Sequence, residues 1–279
     1  MSHIQNLERY AVEARKNLLK IIYLASGGHT GGSLSCVDIL VALYFEVMNI
    51  DPENPDKPDR DRFIMSKGHS VEALYAVLAK RGFIGEEILD TYGKYDSLLA
   101  GHPEVKIPGV ELNSGSLGHG LSVGVGMALA VKRSRMTNRV YVLMGDGEHG
   151  EGSIAEAMNA ASHFKLDNLI TIIDRNRLQI SGYTEDVMAL GNLAERYEAY
   201  GWNTLECDGN NISGIIETLS SVKTDSGKPT SVIAHTIKGK GVSFIENRAS
   251  WHHRVPTKEE LNAAISELDN LLKVQYHGS

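Results

Sequence analysis

The chain has 279 residues, 42% of them hydrophobic and 23% charged, a composition typical of one large or two small globular domains. The net charge of −7 comes without a basic cluster, which argues against nucleic acid and anionic membranes as partners. Cys36 and Cys207 are too few for a disulfide framework, the N-terminus lacks signal-peptide order, and no apolar run approaches the ~20 residues of a spanning helix. We therefore predict a soluble cytoplasmic protein.

The first predicted element is an amphipathic helix over residues 7–25, and a second helix is predicted over residues 36–47. Between them lies the segment SGGHTGGS, which places His29 between two Gly-Gly pairs. Glycine leaves the backbone free to approach a ligand closely, so this histidine is a candidate site residue. The alternative is a flexible surface turn with a solvated histidine.

A proline-containing charged loop over residues 51–62 leads to a predicted strand over residues 62–65. The strand runs into SKGHS, which puts His69 at a strand end, where ligands of open α/β sheets bind. A helix is predicted over residues 71–81. A single histidine of this kind can equally be structural.

Two loop segments follow. Residues 98–108 read LLAGHPEVKIP and supply His102, which could simply be solvated. Residues 113–120 read NSGSLGHG and precede a helix with many glycines and alanines. This glycine density predicts close approach of the backbone to a ligand or to a neighbouring helix.

The central part of the chain predicts a β–turn–α–β unit. A strand over residues 140–144 ends at the acidic turn GDGE, and a second strand over residues 169–173 ends at DRN. A helix should lie between them, because apolar residues recur at helical spacing over residues 154–164. Polar residues at the ends of two such strands predict a ligand site.

Two kinds of ligand fit this unit. Gly145, Gly147 and Gly150 satisfy G-x-G-x-x-G, and Asp174 follows roughly 20 residues later, as in dinucleotide-binding proteins. That motif presents bare backbone N–H groups to a pyrophosphate.

The acidic side chains of the same turn favour the other ligand. Asp146, Glu148 and Glu151 would repel a pyrophosphate unless a cation lay between them. Oxygen atoms of Asp146 and Asn176 suit Mg²⁺, which then carries the diphosphate. We prefer this metal-bridged interpretation and keep the dinucleotide as the alternative.

The remaining elements complete an alternating pattern. Strands are predicted over residues 204–208 and 231–236, and helices over residues 193–200, 212–222 and 258–273. Strands that alternate with helices predict an α/β fold, a doubly wound, mostly parallel sheet with helices on both faces. After the last strand come TIKGKGV and SWHH; the chain contains no P-loop motif.

The segments GDGE, EG, DRN and ISG between residues 145 and 182 resemble the thiamine diphosphate motif of the transketolase family. Other family elements, namely SGHPGG, SKGH, GHP, TGPLGQG and SWHG, are matched in order by SGGHTGGS, SKGH, GHPE, SGSLGHG and SWHH. Thr30, Ser116, His119 and His253 depart from the family pattern. The resemblance covers about residues 7–265.

The resemblance implies a cofactor and its ligands. In the family, an Asp and an Asn side chain and a backbone carbonyl bind the metal; the matching positions are Asp146, Asn176 and Leu178. The metal is Mg²⁺, with Ca²⁺ or Mn²⁺ as substitutes, and it holds thiamine diphosphate. The matching cofactor-binding residues are His69, Gly115, Ser116, Leu117, Gly147, Glu148, Asn176 and His252.

The resemblance also implies the reaction, transfer of a two-carbon ketol unit from a ketose to an aldose. Imidazoles suit the proton transfers to and from sugar oxygens near neutral pH. The expected catalytic residues are His29, His69, His102 and His252. Glu151 and Glu156 match carboxylates of the family's subunit interface near the cofactor, although the helix dipole alone would favour them there.

Residues 1–279 are expected to form a single diphosphate-binding domain. The pyrimidine-binding and C-terminal domains of the family have no counterpart here, so we expect them on a partner chain, in a heterotetramer, with this chain inactive alone. The donor and acceptor stay open: pentose phosphates, unusual ketose phosphates and sulfonated sugars all fit.

Three other functions remain as alternatives. An NAD-dependent oxidoreductase would use the glycines of the acidic turn, with Asp174 on the ribose. Another thiamine diphosphate enzyme, similar to deoxyxylulose-phosphate synthase or to a dehydrogenase, would share the cofactor. A regulatory or scaffold protein would not need the motif residues to be intact.

Overall fold

The computed structural model describes residues 2–277, with side chains described for residues 2–273. A parallel five-stranded sheet forms its centre, in the order β1-β2-β3-β5-β4. The strands are β1 (Arg62–Met65), β2 (Val140–Gly145), β3 (Leu169–Arg175), β4 (Asn203–Asp208) and β5 (Thr230–His235). All five predicted strands are present, and four of them differ from the predicted bounds by a residue or two.

Helices cover both faces of the sheet, which confirms the predicted fold class. The helices are α1 (His3–Ala25), α2 (Thr30–Ser35), α3 (Val37–Ala42), α4 (Val71–Arg81), α5 (His119–Arg133), α6 (Gly152–His163), α7 (Thr184–Val187), α8 (Leu193–Ala199), α9 (Ile212–Ser220) and α10 (Lys258–His277). No helix within residues 2–277 has the length and apolar character needed to cross a membrane.

Alternating strand residues form two separate hydrophobic cores. Tyr141 and Leu143 of β2 pack with α1, α3, α4, α9 and α10, whereas Val140, Val142 and Met144 pack with α5, α6 and α8. Side chains of a strand point alternately to opposite faces, so a strand covered on both faces is apolar throughout. This explains why the strands appear in the sequence as uninterrupted apolar runs.

The prediction for the first glycine-rich segment was partly wrong. A helix already begins at Thr30, and residues 36–47 are divided into α3 and a π-helical turn, Leu43–Val47. Gly31 and Gly32 lie inside α2, where an added Cβ would meet the Trp251 carbonyl at 3.1 Å and the Ser70 hydroxyl at 2.9 Å. These glycines therefore permit close packing of a buried helix rather than a flexible turn.

The carboxyl ends of the strands lie at one edge of the sheet. Gly145 at the end of β2 is in register with Asp174 in β3, which is in register with Ala234 in β5. The acidic turn, the DRN segment and the loop after β5 therefore come together at this edge, as the parallel topology requires.

Candidate functional site

A cavity of about 390 Å³ opens at the carboxyl edge of the sheet. Seven separate segments of the chain contribute to it. Its lining includes His29, Gly32, Lys67, His69, Gly115, Leu117, Gly145, Asp146, Gly147, Glu148, Asn176, Leu178, Gln179, Ile180, Ser181, Lys238, His252 and His253. The sheet topology thus gathers most of the sequence-predicted site residues in one place.

Asp146 is buried at the start of the turn after β2. Its Oδ1 accepts a hydrogen bond from the Gly147 N–H (2.7 Å), and its Oδ2 accepts from the Arg177 N–H (2.7 Å) and from Arg175 (3.1 Å). Burial and the nearby charge of Asp174 raise the pKa of Asp146. The carboxylate is therefore held in one orientation, and a cation beside it would be favourable.

Asn176 and Leu178 bring two further oxygens to the same cavity. Asn176 Oδ1 accepts the Leu178 N–H at 3.1 Å, and the Leu178 carbonyl accepts Lys238 Nζ at 3.0 Å. One carboxylate, one amide oxygen and one carbonyl oxygen form the kind of hard donor set that Mg²⁺ takes together with phosphate oxygens. The residues present therefore fit the expected metal and diphosphate.

Glu148 connects the acidic turn to neighbouring segments of the chain through hydrogen bonds. It is buried, and it accepts hydrogen bonds from the Gly118 N–H (2.8 Å), the Gly145 N–H (3.1 Å) and the Ser66 hydroxyl. Its oxygens thus join the ends of β1 and β2 to the start of α5. This arrangement indicates that Glu148 shapes the cavity wall, and its contact with the cofactor stays a prediction.

Asp174 lies too deep for the dinucleotide alternative. Its carboxylate is completely buried, pairs with the Lys67 ammonium, and accepts hydrogen bonds from the hydroxyls of Ser35 (2.5 Å) and Thr236. Burial alone would raise the pKa of Asp174, but the Lys67 charge outweighs it and holds that pKa below its ordinary value. A carboxylate in this position is not available to a ribose hydroxyl.

Histidines form a cluster on the open side of the cavity. The ring centroid of His29 lies 4.2 Å from that of His253, 5.2 Å from His69, 5.7 Å from His252 and 6.4 Å from His102. Burial lowers the pKa of His29 to about 4 and that of His252 to about 3, and it lowers the pKa of His69 as well. These imidazoles are therefore neutral at pH 7.

Lys238 adds a positive charge beside the cluster. Its ammonium lies 2.9 Å from His252 Nδ1. Nitrogen atoms of His29, His252 and His253 lie within 4.8 Å of one another, as a bound transition metal would require. Imidazole nitrogens of this kind can also exchange hydrogen bonds with sugar hydroxyls.

The remaining predicted residues lie around the oxygen ligands and the histidine cluster. Gly115 and Leu117 line the cavity, and a Cβ on Gly115 would meet the His102 ring at 2.9 Å. Ser116 is exposed, hydrogen-bonded to His119 Nδ1 (3.2 Å), and is not among the lining residues. The exposed Glu151 and Glu156 lie before and within α6, so their interface role stays a prediction.

Two lysines of the site were not predicted from the sequence. Lys67 and Lys238 are almost completely buried and line the cavity. Both occur in motif segments noted above, SKGH and TIKGKG. A lysine in a glycine-rich turn at the end of a strand could have indicated a buried site residue, because a lysine that only faces solvent needs no such surroundings.

Known proteins provide an independent comparison. The family model described as "Transketolase, thiamine diphosphate binding domain" matches residues 8–269. An apulose-4-phosphate transketolase subunit of Phocaeicola vulgatus is 52% identical, over 97% of this chain and 96% of that protein. The 6-deoxy-6-sulfo-D-fructose transketolase subunit SqwG of a Clostridium species is 42% identical, over 95% and 96%.

Longer transketolases match as well. The solved transketolase from Campylobacter jejuni has a TM-score of 0.91 and 32% identity, over 96% of this chain and 43% of its own. The chain thus spans less than half the length of that enzyme, but nearly the whole length of the two relatives named as transketolase subunits. The predicted resemblance is confirmed: this chain belongs to the transketolase family, in which it corresponds to the thiamine diphosphate-binding domain.

Proposed function

We propose that this chain is the diphosphate-binding subunit of a two-chain transketolase. The enzyme transfers a two-carbon ketol unit from a ketose donor to an aldose acceptor. One observation carries the proposal: oxygen ligands at the ends of β2 and β3 share a cavity with a cluster of histidines. The family match and the relatives named as transketolase subunits support it.

In this proposal Asp146, Asn176 and the Leu178 carbonyl hold Mg²⁺, or Ca²⁺ or Mn²⁺ in its place. The metal and Lys238 neutralise the diphosphate, and Gly147 allows its close approach. Thiamine diphosphate, when bound, supplies a site that stabilises the carbanion formed when the donor is cleaved.

The histidines act on the sugar oxygens. His29 and His252 are neutral at pH 7, so each ring has a nitrogen that can accept a hydrogen bond from donor and acceptor hydroxyls. His69 lines the cavity beside His29, whereas His102 lies 6.4 Å from His29 and is not among the lining residues, so its catalytic role stays a prediction. Imidazoles from three separate segments, those of His29, His69 and His252, thus line one cavity.

The partner chain is proposed to cover the open side of this cavity and to carry the missing pyrimidine-binding domain. Ile180, Tyr183 and Met188, all close in sequence to the cavity residue Leu178, are more than half exposed. Burial of these apolar side chains against a second chain would be favourable. We propose a heterotetramer in the cytoplasm, where Glu151 and Glu156 lie at the subunit contact.

The names of the relatives suggest which donors to test first. We propose a ketose that carries a phosphate or a sulfonate group, and the relatives make apulose 4-phosphate the first candidate and 6-deoxy-6-sulfo-D-fructose the second. A pentulose phosphate is the general alternative. The chain should be co-expressed with the neighbouring reading frame and assayed with each donor, an aldose acceptor, thiamine diphosphate and Mg²⁺. A complex that transfers no ketol unit from any of them would contradict the proposal.

The metal site is tested by Asp146→Ala. Loss of the buried carboxylate should abolish Mg²⁺-dependent binding of thiamine diphosphate by the assembled complex, which calorimetry measures. Asp208→Ala is the matched control, because Asp208 also ends a strand but is exposed and outside the cavity. If Asp146→Ala kept the affinity of the control, the metal role would be refuted.

A further inference from the structure

Glu72 is a buried carboxylate whose partners are neutral donors. It lies in the first turn of α4, and its side chain has no exposed surface. In the described part of the chain its oxygens accept three hydrogen bonds and pair with no lysine or arginine. A buried carboxylate without a cation is unfavourable unless such donors compensate for its lost hydration, and here burial raises the pKa of Glu72.

The three donors come from separate segments. Glu72 Oε1 accepts the backbone N–H of His29 at 3.0 Å and the Tyr92 hydroxyl at 2.8 Å. Glu72 Oε2 accepts the Ser33 hydroxyl at 2.7 Å. Ser33 lies in α2, and Tyr92 follows the turn after α4. One carboxylate therefore joins the loop that carries His29 to two fixed elements behind it.

Gly28 provides an independent sign of this contact. Its φ is +145°, and a Cβ built there would lie 2.5 Å from Glu72 Oε1. The backbone before His29 thus lies directly against the carboxylate, and only glycine fits in that space and conformation. The chain is held against Glu72 at Gly28, at His29 itself and at Ser33.

The position of the His29 backbone decides where its ring lies. The centroid of that ring lies 4.2–6.4 Å from the ring centroids of four other histidines, His253, His69, His252 and His102. Its Nδ1 is buried and has no hydrogen-bond partner among the described residues. The side chain itself is thus weakly anchored, and the backbone contact to Glu72 supplies the anchor.

We propose that Glu72 is a positioning residue, which holds His29 in the geometry that the sugar substrate needs. This inference rests on the proposed transketolase function. Glu72 does not line the cavity, so it acts through His29 and touches neither sugar nor cofactor. Displacement of a reacting group by about 1 Å can lower a rate on the order of 100-fold.

The test compares Glu72→Leu with Glu72→Gln in the assembled complex with thiamine diphosphate and Mg²⁺. Leu fills the volume but accepts no hydrogen bond, so kcat/KM for the donor should fall roughly 10- to 100-fold. Gln still accepts the His29 N–H and should recover most of that loss. The affinity for thiamine diphosphate should stay unchanged, because the diphosphate ligands are elsewhere.

Asp61→Leu is the control for a merely structural effect. Asp61 is also buried, and it accepts the backbone N–H groups of Asn49 (2.9 Å) and Arg139 (2.7 Å) away from the cavity. This substitution should lower the melting temperature but leave kcat/KM of the folded complex unchanged. The ¹⁵N resonances of the His29 imidazole give a readout independent of turnover: Glu72→Leu should shift them and Asp61→Leu should not.

Unchanged kcat/KM and unchanged His29 resonances in Glu72→Leu would overturn the inference. A wild-type complex without ketol transfer would instead overturn the proposed function, so the two failures are distinguishable. If Glu72→Leu does not fold, Tyr92→Phe replaces it. It removes one donor to the same carboxylate and should lower kcat/KM a few-fold; wild-type kinetics in that variant would also overturn the inference.

Discussion

At the residue scale, Lys238 is a cavity lysine whose charge changes within the pH range of a binding experiment. It donates to the Leu178 carbonyl (3.0 Å) and lies 2.9 Å from His252 Nδ1. Burial, and then the positive charge of Lys67, lower its pKa from 10.5 to about 8. The ammonium form is therefore present at pH 7 and is lost as the pH rises through 8.

This shift predicts a pH dependence of cofactor binding. The diphosphate attracts only the ammonium form, so the affinity of the complex for thiamine diphosphate should fall above pH 8, by up to about tenfold per pH unit. Calorimetry at pH 7 and pH 9 measures this fall, and Lys238→Gln should bind weakly with a flatter profile. Lys240→Gln, which lies outside the cavity, is the control and should keep the wild-type profile. Equal profiles for all three proteins would contradict the role of Lys238.

At the scale of elements, Gly124 is one of the glycines that allow α5 to pack closely on the sheet. A Cβ on Gly124 would lie 2.7 Å from Val142 Cγ2 in β2. Gly126, on the same helix, is exposed, and an added Cβ would meet no heavy atom within 4 Å. Substitutions at these two positions therefore distinguish the effect of close packing on stability from the effect of helix propensity.

The pair gives opposite predictions for the free energy of unfolding. Gly124→Ala should lower it by about 1–3 kcal/mol, because the added methyl group forces α5 away from β2. Gly126→Ala should raise it by about 0.5–1 kcal/mol, because alanine loses less conformational entropy in a helix. Urea unfolding followed by circular dichroism measures both. Similar effects of the two substitutions would show that α5 can move without penalty.

At the scale of the whole molecule, the proposed function needs a pyrimidine-binding domain, which we place on a second chain. The isolated chain should therefore show no ketol transfer, and mixing it with the partner chain should restore activity. Light scattering should show a complex with two copies of each chain. Asp146→Ala should still assemble but stay inactive, which separates assembly from catalysis. Full turnover by the isolated chain would contradict the two-chain proposal.

Local patterns sufficed for much of the architecture. β1 and β2 follow from apolar runs, because strands buried on both faces need no alternation. The amphipathic helix α1 was expected to begin at Leu7 and begins at His3, where Ser2 caps it. The helix that begins at Thr30 did not follow from the sequence, because its glycines are buried by Trp251 and Ser70, which lie far away in sequence.

The ligand chemistry of the site was also present in the sequence. An acidic turn after one strand and Asn176 after the next predicted oxygen ligands at a shared sheet edge, and the structure brings both into one cavity. The burial of Asp174 against Lys67, which excludes the dinucleotide alternative, did not follow from any local pattern. Residues so far apart in sequence pair only after the sheet has formed.

The sequence by itself thus determined the strands, the family and the kinds of side chain at the strand ends, since each depends on neighbouring residues. The tertiary structure alone decided the protonation of the histidines, the burial of Lys67 and Lys238, and the contact of Glu72 with His29. Those properties depend on lost hydration and on charges brought close by folding, and both arise from contacts between distant parts of the chain.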